Sequence, residues 1–512
     1  MNMRGTSGGE GEHRGRFALV VTAAAAAIFV YQLFIPPPAG LADNGDFSRI
    51  MGAVGLQYTA GNRQDLYFNY FVPTYKFESS DEWDALVFTS ENVLVLGAMA
   101  ITRLGSRSGL FDVRVLAALR LTLFLPAVWL LLRQSARLSR ATRIVAALLL
   151  LLVFCDVGYA VYFNSLYGEA ESFVFLFLTV AAALRLAEQP ASRARWAAWL
   201  AASVLFAGAK PQNHLLGIPL AAYGFWIAFR AVGRPGRRLL AGPVALGLIS
   251  ALLVWSTPRW IVRYSLYNAV FYELLKYSPA PRADLLQLDL NPDLEKYRGT
   301  NTYSPDAPLE DPGFESAFFN RMGAAKLMRF YLRHPSRLAA VAQRTAPGAF
   351  CLRPSYLGNF EKSYGLAPGA QSRRFQFWSK LRESAAPRSL WFVAVFFAVN
   401  GMAALAVYVK SGSGYLRAAM VFHLMLAAMA IEQLLLAGIM CGQYELVKHL
   451  FLFNLLFDWC VCADAVLLAA GLSTLRWRGV CRHARLSSSN GRLFLRHSFP
   501  QREGNDIHQQ DQ

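Results

Sequence analysis

Hydrophobic residues in this chain come in blocks rather than at alternate positions. Most blocks run for roughly 17 to 25 residues, the length an α-helix needs to cross a hydrocarbon core. Read from the N-terminus, they predict spans at about 17–35, 116–133, 143–162, 171–187, 196–209, 213–230, 238–256, 389–408, 416–439 and 447–472. The pattern therefore predicts an all-α integral membrane protein with about ten transmembrane helices, interrupted by a polar stretch at 258–388. A shorter apolar run, ENVLVLGAMAITRLG, is flanked by charges and suits a helix lying along the membrane interface.

Charge gives the spans a direction. The net charge of +18 invites a nucleic-acid reading, but Lys and Arg fall in short stretches between spans, and no soluble basic domain is present to carry such a face. Under the positive-inside rule, Arg4, Arg14 and Arg16 keep the N-terminus in the cytoplasm. The same rule places Arg133, Arg137, Arg140, Arg143, Arg185, Arg193, Arg195, Arg230, Arg234, Arg237 and Arg238 there. Arg476, Arg478, Arg482 and Arg485 do so for the C-terminus. Were the ENVLVLG run to cross, the Arg133–Arg143 cluster, with no acid among its members, would lie outside.

Five regions follow: a cytoplasmic tail at 1–16, an N-terminal transmembrane module at 17–257 whose first external loop is 36–114, an external loop domain at 258–388, a C-terminal transmembrane module at 389–475, and a disordered cytoplasmic tail at 476–512. The expected location is a membrane, crossed many times. Six cysteines without a CxxC pair read as small buried residues rather than a metal site or disulfide framework.

On this map the membrane-edge charges gather on one face. Asp43 and Asp46 in ADNGDFSRI, Glu169 and Glu171 in FNSLYGEAES, Lys210, His214 and the run QYELVKHLF at 443–451 all fall outside. A carboxylate at a membrane edge is costly to desolvate and marks a functional site by default. Blander uses stand beside this one: DNG is a turn signal for Asp43, acids favour a helix N-terminus, lysines such as Lys210 snorkel, and Lys448 with His449 suit simple interfacial anchoring.

A first span followed by an acidic motif, an interfacial helix and a span opening with Arg120 in LAALRLTLFLPAVWLLL resembles the polyprenyl-phosphate-sugar glycosyltransferases of the GT-C class. That class includes protein O-mannosyltransferases, aminoarabinose transferases acting on lipid A, and oligosaccharyltransferases. The wider set DNGDF, YFNSLYGEAES, KPQN, YNAVFYELL, HPSRL, RPSYLGN and YELVKHLFLFNLLFD is similar to bacterial polytopic hexosyltransferases of surface-glycan assembly, over about 17–475.

The resemblance implies a sugar donor on a polyprenyl phosphate, a glycan or lipid-linked acceptor, no nucleic acid, and inverting displacement. It implies that Asp46, with Asp43 second, is the base. Glu169 or Glu171 would orient the acceptor or bind a divalent ion, and Mg or Mn would suit their oxygen ligands. A partly desolvated carboxylate is expected to have a raised pKa. Lys448, His449, Lys210 and Arg353 are the candidates for holding the donor phosphate.

Two rival functions share these features: a lipid-linked glycan ligase or polymerase, in which loop cations such as Arg353 would dominate, and a flippase or transporter, which would carry midplane polar groups and internal repeats. Within the loop domain, the Pro-rich middle YSPAPRADLLQLDLNPDLEKYRGTNTYSPDAPLEDPG reads as an irregular lid. AAKLMRFYLRHPSRLAAVAQRTAPGAF reads as an amphipathic helix pair split at Pro335. Tyr267, Phe271, Tyr272, Tyr356 and Phe360 are candidates for stacking on sugar rings or for an interfacial belt.

Overall fold

The computed structural model describes residues 7–59, 61–78, 89–105, 109–231 and 237–493. Apolar blocks become helices because a backbone in lipid must satisfy its own hydrogen bonds. In order, α1 is Ser7–Leu33, α2 Phe47–Val54, α3 Ser90–Gly105, α4 Val113–Gln134, α5 Arg140–Leu149, α6 Glu169–Glu188, α7 Arg193–Ala207, α8 Gly217–Ala231 and α9 Arg237–Trp255. After the loop region, α10 is Trp378–Ala385, α11 Leu390–Lys410, α12 Gly414–Cys441, α13 Leu446–His449 and α14 Phe451–Leu493.

Length and composition support six to eight of the ten expected spans among the described residues. Among the described residues six helices are long and apolar enough to cross alone: Gly15–Leu33, Val113–Arg137, Glu169–Glu188, Leu390–Lys410, Gly414–Cys441 and Phe451–Ser473. Two bent pairs, Arg140–Phe154 with Val157–Asn164 at 54° and Leu239–Trp255 with Arg259–Leu275 at 72°, raise the number to as many as eight. The expected spans at 196–209 and 213–230 correspond to α7 and α8, each 15 residues long. α7 alone reaches about 22 Å against a hydrocarbon core of about 30 Å, whereas α8 follows directly on the 3-10 turn Pro211–Leu216 and ends against residues outside the description. The ENVLVLG run forms α3, which is not among the spanning helices.

Between α2 and α4 the chain makes a small antiparallel sheet in the order β1–β2–β3, from Leu56–Tyr58, Thr74–Phe77 and Leu110–Asp112. The register pairs Tyr58 with Tyr75 and Tyr75 with Phe111. This sheet turns the first loop back over α2, whose Phe47, Ile50, Met51 and Val54 face inward at helical spacing.

The stretch at 258–388 is more ordered than an irregular lid. Leu285, Leu288, Leu290 and Leu294 from the Pro-rich part join Tyr267, Phe271, Phe314 and Phe318 in a second buried cluster. Tyr267 and Phe271 are fully buried there, which removes them as sugar-stacking candidates. The amphipathic pair does form, as Ala324–Arg333 and Pro335–Thr345. At the chain's end α14 continues to Leu493, so the reading of 476–512 as disordered does not hold for 476–493, and 494–512 lie outside the described residues. Of the cysteines, Cys155, Cys460 and Cys462 are buried and, with Cys351 and Cys441, form no disulfide, while the side chain of Cys481 lies outside the described residues.

A buried network fastens the loop region to the membrane helices. Arg382 of α10 donates to Asp458 of α14 at 2.9 Å, to the Asn454 side chain at 2.8 Å and to the Ala349 carbonyl at 2.7 Å. Tyr159 and Trp378 donate to the other oxygen of Asp458, at 2.6 and 2.7 Å. Removing one member strands a buried charge, so Arg382→Met should cost about 3–5 kcal/mol and lower the yield and melting temperature of purified protein, whereas the exposed Arg282→Met should change neither.

Candidate active site

The ADNGDF motif closes into a turn before α2. Asp43 accepts the backbone amides of Gly45 at 2.8 Å and Phe47 at 3.1 Å through Oδ1, and the Tyr58 hydroxyl at 2.6 Å through Oδ2. Gly45 sits at φ +108°, a conformation that side chains resist, which is why the turn needs glycine here. Asp43 is therefore engaged by its own turn and by Tyr58 rather than by the cations. Burial raises its carboxyl pKa, opposed by the Tyr58 hydroxyl and the two amides.

Asp46 is different, because it projects from the start of α2 into a set of charges. One carboxylate oxygen engages Arg49, one helical turn on, and the other engages Lys448 of α13. Burial alone would raise the Asp46 carboxyl, yet these two cations hold it far below the ordinary carboxylate range. The expected upward shift is thus reversed. Lys448 is itself buried, its pKa raised despite burial by Asp46 and Glu445, and it also reaches Glu445 at 3.3 Å.

Three distant segments meet here through neutral groups as well. The Asn44 amide nitrogen of the side chain donates to Glu445 at 2.6 Å, and its backbone amide donates to the Tyr167 hydroxyl at 3.0 Å. Tyr167 precedes Glu169 by two residues, so the first loop, the YGEAES segment and the α12–α14 connection form one surface. Glu169 begins α6 and pairs with Lys210 at 2.6 Å, and its charge reaches Arg49 and Lys448.

Glu171 faces elsewhere, since residues two apart on a helix diverge. Arg120, fully buried in α4, donates to it twice at 2.7 and 2.9 Å and also to the carbonyls of Phe163 and Ser165 at 2.8 and 2.7 Å. That fork ties the 163–165 segment to the start of α6 and occupies both oxygens of Glu171. Glu91 of α3 lies 3.8 Å from Arg120, and burial, reinforced by Glu171, raises its carboxyl pKa well above normal. Gly168 makes this crowding possible: a Cβ there would lie 2.9 Å from the Ala209 carbonyl and 3.1 Å from Glu91.

The four expected phosphate-holding residues divide. Lys448 stands at the centre and Lys210 at the edge, each already paired with acids. His449 is close, but burial and then the charges of Lys448 and Lys210 push its imidazole pKa well below normal, so it is a neutral group rather than a cation. Arg353 is buried inside its own loop, donating to Asn359 at 2.6 Å and to the Ser372 carbonyl, and is removed from the phosphate set. His214 is buried beside Thr257, and burial lowers its pKa to about 4.

Sequence reading missed Arg49, Asn44, Tyr167, Glu445 and Glu91. Arg49 and Glu445 carried a signal, since each stands three residues from a predicted site residue on the same helical turn. An aromatic rim surrounds the charges: Arg49 lies 5.8 Å from the Trp260 ring, and Tyr303 and Tyr444 stack at 5.2 Å. Among the described residues, no three His, Cys, Asp or Glu side chains are grouped to hold a metal ion. The carboxylates considered for Mg or Mn face lysine and arginine instead.

Two outcomes follow from these geometries. Glu171→Gln, by stranding Arg120, should destabilise the protein by about 3–5 kcal/mol, against about 1–3 kcal/mol for Glu169→Gln, as read from melting temperatures. An unfolded imidazole takes up a proton below a pH of about 6.5 that the folded sites of His449 and His214 refuse, so stability should fall from pH 7 to pH 5 and His449→Asn should flatten the slope.

No curated protein and no solved structure matches this chain. A family model described as the YfdI N-terminal transmembrane domain matches residues 12–477, nearly the whole of it. With its apolar helices and this match, the chain is a multi-pass membrane protein that belongs to the YfdI N-terminal transmembrane domain family.

Proposed function

We propose that this protein is a membrane glycosyltransferase of the GT-C type, moving a hexose from a polyprenyl-phosphate carrier to a glycan or lipid-linked acceptor at the external face of a bacterial inner membrane. The observation that carries the reading is Asp46 set between Arg49 and Lys448 where three distant segments meet. Such a site contains what sugar transfer from a phosphate requires: a carboxylate to take a proton and cations to receive the charge that develops on the leaving group. A glycosyltransferase-like membrane protein is also consistent with the YfdI family match.

In this reaction the acceptor hydroxyl attacks the anomeric carbon from the face opposite the phosphate. A carbon–oxygen bond to the acceptor forms as the bond to the phosphate oxygen breaks, inverting the sugar carbon. Asp46 accepts the hydroxyl proton, and Arg49 and Lys448 hold the departing phosphate. Glu169, steadied by Lys210, would orient the acceptor from α6. Tyr303 and Tyr444 offer flat apolar faces for a sugar ring at the rim.

The test uses full-length protein in nanodiscs supplied with polyprenyl-phosphate hexoses and glycan acceptors. Asp46→Asn should lower the rate of sugar transfer by at least about a hundredfold with donor binding retained. Arg353→Lys should lower the amount of folded protein and leave the turnover of what folds unchanged. Near-normal transfer by Asp46→Asn rules it out as base, and loss of turnover confined to Arg353→Lys favours the ligase reading.

A further inference from the structure

Asp46 occupies the two cations that a donor phosphate would need. Its oxygens are divided between them, one on Arg49 and one on Lys448, as two oxygens of a phosphate would be. Each cation also lies near an aromatic ring: Arg49 is 5.8 Å from Trp260, and the Lys448 ammonium is 5.4 Å from Tyr167. Among the groups whose charge reaches Asp46 are Arg49 from its own helix, Lys448 and His449 from α13, Asp43 from the same turn, Tyr167, and Tyr303 from the loop region, while Glu445 shares Lys448 and Glu169 acts on Arg49 and Lys448. With Lys210 on Glu169, the carboxylates Asp46, Glu445 and Glu169 are matched by Arg49, Lys448 and Lys210. An arriving anion meets a set already neutralised from within.

We propose that Asp46 is an internal competitor for the donor phosphate: in the empty protein its carboxylate sits in the phosphate seat on Arg49 and Lys448, and the phosphate must displace it before transfer begins. This rests on the phosphate-holding role given to those two residues above. The competition makes chemical sense of a base that is a poor proton acceptor at rest. While both cations hold it, the carboxylate has little basicity, and a phosphate that takes over the cations and adds negative charge beside it restores that basicity. Proton abstraction is thereby coupled to the presence of a donor, and the binding order becomes donor before acceptor.

The experiment measures the affinity of full-length protein in nanodiscs for a short-chain polyprenyl monophosphate, with the corresponding prenyl alcohol as control. Competition predicts that Asp46→Asn binds the phosphate about tenfold more tightly although transfer is lost, because the buried Lys448 and the partly exposed Arg49 have been left without their carboxylate. Glu445→Gln, which removes a second anion from Lys448 while keeping an acceptor for Asn44, should tighten binding by a smaller factor. Arg49→Gln should weaken it, and melting temperatures report whether each variant is folded; should Asp46→Asn not fold, Glu445→Gln carries the test.

Unchanged or weaker binding by the folded anion variants, together with weaker binding by Arg49→Gln, overturns the competition and leaves the phosphate reading standing. Unchanged binding by Arg49→Gln, or equal affinity for the alcohol and the phosphate, overturns both.

Discussion

A carboxylate partly withdrawn from water gains from a cation within a few ångströms, and in this protein that pairing joins segments hundreds of residues apart. Asp46 on the first loop finds Lys448 near the last membrane helix, and Asn44 finds Glu445 on the same turn. Tyr167 closes the third side by bonding the backbone of Asn44. Removing one partner of a buried set leaves the others uncompensated, so the connections stand or fall together. The loop-to-helix tie through Arg382 and Asp458 obeys the same rule at a second place. Helix packing sets the scaffold, but these charges decide which loops are held against which helices.

Much of the scaffold was legible as sequence because lipid imposes a length on every crossing helix. Blocks at 17–35, 116–133, 171–187, 389–408, 416–439 and 447–472 all returned as helices of spanning length. Block reading is less decisive where an apolar helix is short, as in α7, since hydropathy reports the environment of residues and not the reach of the helix. In the loop region it understated order. The prolines suggested irregularity, yet Leu285, Leu288 and Leu294 bury together.

The site was half legible for a related reason. Residue type and membrane-edge position pointed to Asp46, Glu169 and Lys448, and the structure gathers them. What one sequence could not expose was partnership. Asp43 and Asp46 are three residues apart, yet one faces backbone amides and the other faces cations, because the turn at Gly45 sends their side chains in different directions. Glu169 and Glu171 diverge by the simpler geometry of a helix, and only the tertiary position of Arg120 decides which of them is consumed by structure. Tyr303 left no local trace, since its place depends on how the loop region folds over α2.

The direction of the Asp46 shift has a further consequence for how such a centre can work. A base raised in pKa by burial alone would be ready at all times, but it would also sit protonated for part of the time near neutral pH and would offer nothing to hold a phosphate. On the proposed reading, pairing the carboxylate with the cations that would carry the leaving group avoids both difficulties. The ion set stays neutral when empty, its desolvation offset by the pairing of each charge with a partner. Under that proposal its reactivity would depend on an anion entering from outside, which would tie the strength of the base to the donor.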